Sequence, residues 1–192
     1  WSSPNGQAYT HADIHFIRYF DNRVYVGSDG GIFVSTNDGQ SFADLSDGLQ
    51  IGQFYTIAGT EATPDLITGG LQDNGGYAWV NGNWRVWYGA DGMESAIDPN
   101  NANRIFGMIQ NGSLYRSTNQ GNSGNGIGSP GQGAWVTPMQ FDPNQTRIIA
   151  GYDDVWEYNT TQGQGGWNQI SNYNFPGTLR VVEIYPGNSS IF

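Results

Sequence analysis

Apolar and polar residues alternate along this chain in short runs, each broken by Gly, Asn or Asp. The first runs show the pattern. Residues 14–20 alternate as a strand, Asp21-Asn22 turns the chain, and residues 23–28 return it. Asp29-Gly-Gly31 tolerates the positive φ of a tight hairpin, residues 32–35 form a third strand, and residues 42–46 a fourth. The same order then recurs over 54–59, 66–71, 77–80 and 84–87. It recurs again over 94–97, 104–110 and 113–116, and over 135–141, 147–152, 155–158 and 167–170. Residues 178–185 would open another unit. One stretch breaks the rhythm. Residues 119–132 are rich in Gly, Asn and Ser and lack the aromatic that should start a fourth strand, so that strand is either absent or replaced by a long loop.

The second strand of each unit carries a recurring sequence: Arg23-Val-Tyr-Val-Gly-Ser-Asp29, Leu66-Ile-Thr-Gly-Gly-Leu-Gln-Asp73, Arg104-Ile-Phe-Gly-Met-Ile-Gln-Asn111 and Arg147-Ile-Ile-Ala-Gly-Tyr-Asp153. Ser190-Ile-Phe192 begins a fifth copy. Successive copies start 43, 38, 43 and 43 residues apart. A period near forty with several short strands per unit is the pattern of β-propeller blades, which bury their faces only by stacking on one another. The fold class is therefore all-β, a β-propeller of four-stranded antiparallel blades with about four and a half blades in this segment. Blades are expected at 9–49, 50–89, 90–134 (with an irregular outer strand) and 135–174, and the start of a further one at 175–192. Asp98-Pro-Asn100 and Asp142-Pro-Asn144, with Ala62-Thr-Pro-Asp65 as a variant, close first hairpins: proline presets φ and aspartate caps nearby amides. Arg23, Arg104 and Arg147 recur at one repeat position, which points to a shared structural contact.

Composition narrows the functions. The 192 residues carry 17 acidic and 7 basic side chains, a net charge of −10, and the basic ones are all Arg. With no basic stripe, a nucleic-acid or anionic-membrane partner is not expected. The absence of Cys removes disulfides, thiol catalysis and Cys-based zinc sites. No apolar run reaches the roughly 18 residues of a membrane span. A chain that starts at Trp1 and stops at Phe192, inside an expected strand, reads as a piece of a longer secreted or cell-surface protein.

Ser35-Thr-Asn37-Asp-Gly39-Gln-Ser-Phe42 resembles the Asp-box, or bacterial neuraminidase repeat, with Asn37 at the usual Asp position and Phe42 for Trp. Ser117-Thr-Asn119-Gln-Gly121-Asn-Ser123 is a second copy without the aromatic, and Asn159-Thr-Thr-Gln-Gly163 a weaker third. With Gly70-Leu-Gln-Asp-Asn-Gly75 and Ala90-Asp-Gly-Met-Glu94, the chain resembles the sortilin-like and xyloglucanase-like propellers of secreted bacterial surface proteins. The resemblance implies an extracellular or cell-surface location and leaves three activities open: a non-catalytic binding or adhesive module, a glycoside hydrolase, and a peptide binder. The Asp-box residues themselves (Ser35, Asn37, Gly39, Phe42, Ser117, Asn119, Gly121) are structural, because turn chemistry accounts for each.

Two constellations carry candidate chemistry. His11, Asp13 and His15 would share one face of a strand and could ligate a metal, or line a polar channel. The second is a ring of acids and amides at the end of the sheets where second strands turn into third ones: His11, Asp13, Asp29, Gln72, Asp73, Asn74, Asp91, Glu94, Gln110, Asn111, Asp153 and Asp154. Ligand contacts are expected from Asp29, Gln72, Asp73, Asn74, Asp153 and Asp154, with Trp87 and Tyr88 stacking on a sugar. Tyr152 and Trp156 stand nearby. Calcium or another divalent metal is the ion such a ring would hold, though none is required. A hydrolase needs two carboxyls flanking a cleft, and Asp13, Asp91 and Glu94 are the candidates. The expected partners are a glycan or protein ligand and the remainder of the parent polypeptide.

Overall fold

The computed structural model describes residues 9–173, 176–185 and 187–190, in two compact units, residues 1–52 and 53–192. The first unit holds one meandering antiparallel sheet: β1 (Ile14–Phe20), β2 (Arg23–Ser28), β3 (Gly31–Ser35) and β4 (Ala43–Asp44). Gly31 takes a φ of +130°, and a Cβ there would lie 1.9 Å from the Ser46 hydroxyl, which bonds the Ile32 amide instead. Here the turn requires glycine.

The second unit holds three such sheets. They are β5 (Phe54–Gly59) to β8 (Asn83–Tyr88), with β6 (Ile67–Leu71) and β7 (Gly75–Val80) between, then β9 (Gly92–Ile97), β10 (Ile105–Ile109), β11 (Leu114–Ser117) and β12 (Asn125–Gly128), and finally β13 (Met139–Phe141), β14 (Arg147–Gly151), β15 (Val155–Asn159) and β16 (Trp167–Gln169). Each is ordered as in the chain, a blade of the propeller type. Among the described residues there is no α-helix, and no helix long and apolar enough to cross a membrane.

Blade faces bury one another in this unit. Leu66, Ala78, Val80, Trp87 and Tyr88 of the second sheet pack on Ile97 and Ile105 of the third. Met93, Phe106, Met108, Leu114 and Ile127 of the third pack on Ile148, Ala150, Tyr152 and Tyr158 of the fourth. Each large side chain buried this way stabilises the stack by roughly 1.5–3 kcal/mol. Tyr88 fits because glycine stands opposite it: a Cβ at Gly76 or Gly107 would fall within 2.4 Å of its ring or hydroxyl.

Three expectations change. The Gly-rich stretch is neither a missing strand nor a plain loop, because β12 pairs with β11 with a register shift between Leu114 and Tyr115. Backbone pairing needs no aromatic; Ile127 alone is buried there, and the Trp167 indole N–H donates to the Gly128 carbonyl at 3.2 Å. Residues 178–185 form no strand. They lie on the outer face of the fourth sheet, where the Leu179 amide donates to the Tyr152 carbonyl and Ile184 packs with Ile149 and Val155. The fourth sheet starts at Met139, not at residue 135. Residues 174, 175, 191 and 192, on which the expected last boundary and the fifth repeat fall, lie outside the described residues.

The lower ends of the sheets, where first strands turn into second ones and third into fourth, close on themselves. The buried Ser117 hydroxyl accepts from the amides of Asn119 (3.3 Å) and Gly121 (2.9 Å) and donates to Asn119 Oδ1, which accepts from the Ser123 amide. The first unit repeats this set with Ser35, Asn37, Gly39 and Ser41. The two Asp-Pro-Asn hairpins match as well. Asp98 Oδ1 and Asp142 Oδ1 each accept the amide two residues on at 2.9 Å, while the other oxygen pairs with Arg104 at 2.6 Å or Arg147 at 2.9 Å. Arg23 differs: it follows the two-residue turn Asp21-Asn22 and is exposed.

Candidate functional site

At the upper end of the second unit, loops from all three sheets converge. Asp73 adopts a φ of +62° in the β6–β7 turn, and its amide donates to Asp91 Oδ1 at 2.8 Å. The Asp91 amide in turn donates to Gln110 Oε1 at 3.2 Å, and the Gln110 amide to the Asp91 carbonyl. Asn111, at φ +64°, exchanges backbone hydrogen bonds with the segment before β13: its amide donates to the Trp135 carbonyl, and its carbonyl accepts from Gly133. Tyr152, buried beneath, donates to the Gly112 carbonyl at 2.6 Å. These bonds fix a rigid polar floor.

Two aromatic rings stand on that floor. Trp135, 48% exposed, donates its indole N–H to the Tyr55 hydroxyl at 3.2 Å, and Tyr55, 37% exposed, donates to Gln72 Oε1 at 3.2 Å. The Asn74 side-chain amide donates to the Gln72 carbonyl and holds this loop. An indole and a phenol oriented by hydrogen bonds, beside amide and carboxylate groups, offer an apolar face with polar atoms at its edge.

The structure thus brings together Gln72, Asp73, Asn74, Asp91, Gln110 and Asn111 from the expected ring. It adds Tyr55 and Trp135, which the sequence pattern assigned to strands. Trp135 stands just outside its strand, after a Gly-rich stretch, which was the available signal.

Other expected contacts are placed elsewhere. Trp87 and Tyr88 lie in the core, 7% and 6% exposed, so neither ring can stack on a ligand. Burial pushes the Tyr88 and Tyr152 phenols far above their ordinary pKa, which keeps both neutral. Asp154 is also buried, accepting hydrogen bonds from the Tyr173 backbone amide, the Ser171 hydroxyl and the Gln169 side-chain amide, a structural role in the fourth sheet. Asp153 is exposed and accepts from the Asp154 amide and the Trp156 indole.

Glu94 is half-buried on β9. Burial pushes its carboxyl above the ordinary range, against the opposing effect of a hydrogen bond with Thr56. Asp91, by contrast, spends a carboxylate oxygen on the Asp73 amide.

In the first unit the His11/Asp13/His15 trio does not form a strand face. The strand begins only at Ile14, and Asp13 has a φ of +54°, which breaks the alternation that would align the three. His11 is buried with its ring against Gly30, where a Cβ would meet it at 2.3 Å, and His15 pairs instead with Asp29 at 2.7 Å.

The fold is that of a propeller, and this loop-borne end is its candidate site. No protein-family model matches the chain, and no curated protein matches it. Solved structures do. An ancestral GH74 enzyme is 18% identical with a TM-score of 0.51, over 82% of this chain and 25% of that one. The computationally designed protein Ika8 is 16% identical with a TM-score of 0.52, over 90% and 52%. The GH74 xyloglucanase from Xanthomonas campestris is 17% identical with a TM-score of 0.48, over 80% and 29%. The chain therefore spans about a quarter of the ancestral enzyme's length. At such identities the likeness is one of fold.

Proposed function

We propose that this chain is a non-catalytic, glycan-binding β-propeller segment of a larger secreted or cell-surface protein. One observation carries the reading: exposed Trp135 donates to the Tyr55 hydroxyl and exposed Tyr55 to Gln72, which holds both rings above a floor tied together by Asp73, Asp91 and Gln110. Sugar rings present C–H faces that stack on aromatics and hydroxyls that bond amides and carboxylates, and such a platform meets both. The Ser35 and Ser117 turns are read as Asp-box turns. Their support is the hydrogen-bond set that the two share. No metal is needed for binding in this reading, and a protein ligand is the alternative occupant.

The test is calorimetric titration of the chain with neutral gluco-, xylo- and manno-oligosaccharides. Trp135→Ala should weaken binding about tenfold or more, the scale of a central aromatic contact. Unchanged affinity in that variant would sink the platform. A hydrolase reading is favoured by a single feature, the raised pKa of Glu94, which would suit a general acid. Released sugar that Glu94→Gln abolishes would replace the binding reading with that one.

A further inference from the structure

Charge is unevenly placed along the sheets of the second unit. The chain has no lysine, and the arginines of this unit are Arg85, Arg104, Arg116, Arg147 and Arg180. Arg104 and Arg147 stand where β10 and β14 begin their climb, and Arg116 lies one residue from the lower end of β11. All three are engaged there: Arg104 with Asp98, Arg147 with Asp142 and Glu157, and Arg116 with the Thr160 and Gln162 carbonyls. Arg85 is in the lower half of β8, and Arg180 is on the segment laid over the fourth sheet.

The platform end has the opposite character. Asp91 is half-buried and commits one carboxylate oxygen to the Asp73 amide, while no hydrogen bond or ion pair among the described residues engages the other. Glu94 follows on β9, engaged with Thr56 next to Tyr55. Asp91 and Trp135 are close, because consecutive residues hold them: Gln110 exchanges hydrogen bonds with Asp91, and the Asn111 amide donates to the Trp135 carbonyl. Acidic turns alone select no ligand. Here they flank two exposed rings whose orientation is fixed through Gln72. The electron-rich faces of indole and phenol attract a cation, and a carboxylate that receives its N–H groups forms a charge-assisted hydrogen bond. A sugar bearing a carboxylate would be repelled by the same acids. A neutral sugar would stack but leave the Asp91 oxygen without a cation.

We propose that the ligand of the platform is an amino sugar, a glycan of glucosamine type that stacks on Trp135 and pairs its ammonium with Asp91. This rests on the reading of that end as a glycan platform and names the glycans it prefers.

Calorimetric titration of the intact chain compares oligomers of one linkage and length that bear an amine, an acetamide or a hydroxyl at the same ring carbon: glucosamine, N-acetylglucosamine and glucose. In a low-salt buffer acidic enough to protonate the amine, the glucosamine oligomer should bind about tenfold tighter than either of the others. That advantage should shrink as salt is added, because salt screens the pairing. Asp91→Asn keeps an oxygen for the Asp73 amide and should cut the glucosamine-to-glucose affinity ratio about three- to tenfold. Trp135→Ala should weaken binding of all the oligomers. Equal affinities for them, or a ratio that Asp91→Asn leaves in place, would overturn the amino-sugar assignment and leave the platform standing. If no oligomer binds, the platform itself fails and the assignment with it. An oligolysine peptide that binds as tightly as the glucosamine oligomer would also overturn the assignment, since charge would then suffice without a sugar.

Discussion

The Ser117 turn and the Trp135 platform sit at opposite ends of the same unit and use polar residues in opposite ways. At the turn, one buried hydroxyl and one carboxamide are consumed by backbone amides within a few residues. At the platform, polar groups far apart in sequence bond to one another, Asp73 to Asp91 and Trp135 to Tyr55 across sheets and Tyr55 to Gln72 and Asp91 to Gln110 within one, and hold up two rings that remain exposed. Asn, Asp and Ser are common at both ends, so composition does not separate a closed turn from an open site. What separates them is whether the hydrogen bonds are local in sequence. Local bonds make a turn that closes on itself; bonds between distant residues make a surface whose shape depends on the stack.

Breaking the closed end should have the largest effect on stability. Gly121 combines a φ of +78° with burial, and a Cβ there would stand 2.8 Å from the Ala78 Cβ. Gly121→Ala should cost the conformational penalty of about 1 kcal/mol plus about 1–3 kcal/mol of overpacking. Gly82 has the same positive φ, +83°, with nothing within 4 Å, so Gly82→Ala should cost only the first part. Urea unfolding compares the two. Equal losses would show that the Ser117 turn is not clamped by its neighbours. Neither variant should alter oligosaccharide affinity at the platform.

The contrast also explains what could be read from the sequence. Strand alternation located almost every hairpin, and the Asp-Pro-Asn turns capped amides as their chemistry demanded, because both signals are local. The trio of His11, Asp13 and His15 misled for a local reason too: alternation holds only while φ stays extended, and Asp13 departs from it. Tyr88 and Trp87 misled for a non-local one. The burial of Tyr88 depends on glycines 76 and 107, that of Trp87 on the close approach of glycines 121 and 124, and both on the facing sheet, which no short window around residue 88 contains. Trp135 was hidden by the same limit, since its partner Tyr55 is 80 residues away.

A milder way to break the closed end is acid. Burial alone would raise the Asp142 pKa, but the Asn144 amide, the Ser189 hydroxyl and Arg147 outweigh it and hold the carboxyl below its ordinary value. A depressed pKa stabilises the fold above the unfolded value, near pH 4, and that contribution is lost as pH falls through the folded one. Urea midpoints should therefore drop below about pH 4 more steeply in the wild type than in Asp142→Asn. The variant should also be the less stable of the two at neutral pH. Parallel curves would mean that Asp142 is not engaged as its three contacts indicate.

The smallest effect has the opposite sign and belongs to the wall beneath the platform. Burial raises the Glu94 pKa, so folding favours its protonated form. A raised pKa gives stability that is complete below the unfolded value, near pH 4.3, and is lost as pH rises through the folded one. Glu94→Gln keeps the shape and the hydrogen-bonding capacity toward Thr56 while removing the titration. The variant's urea midpoint should thus gain on the wild type as pH climbs from about 4 into the neutral range. A constant difference across that range would mean that the Glu94 carboxylate is hydrated when ionised, and it would remove the one feature that favours a hydrolase. A growing difference without any released sugar would place the raised pKa in the architecture of the stack, as the price of a carboxyl held against β5.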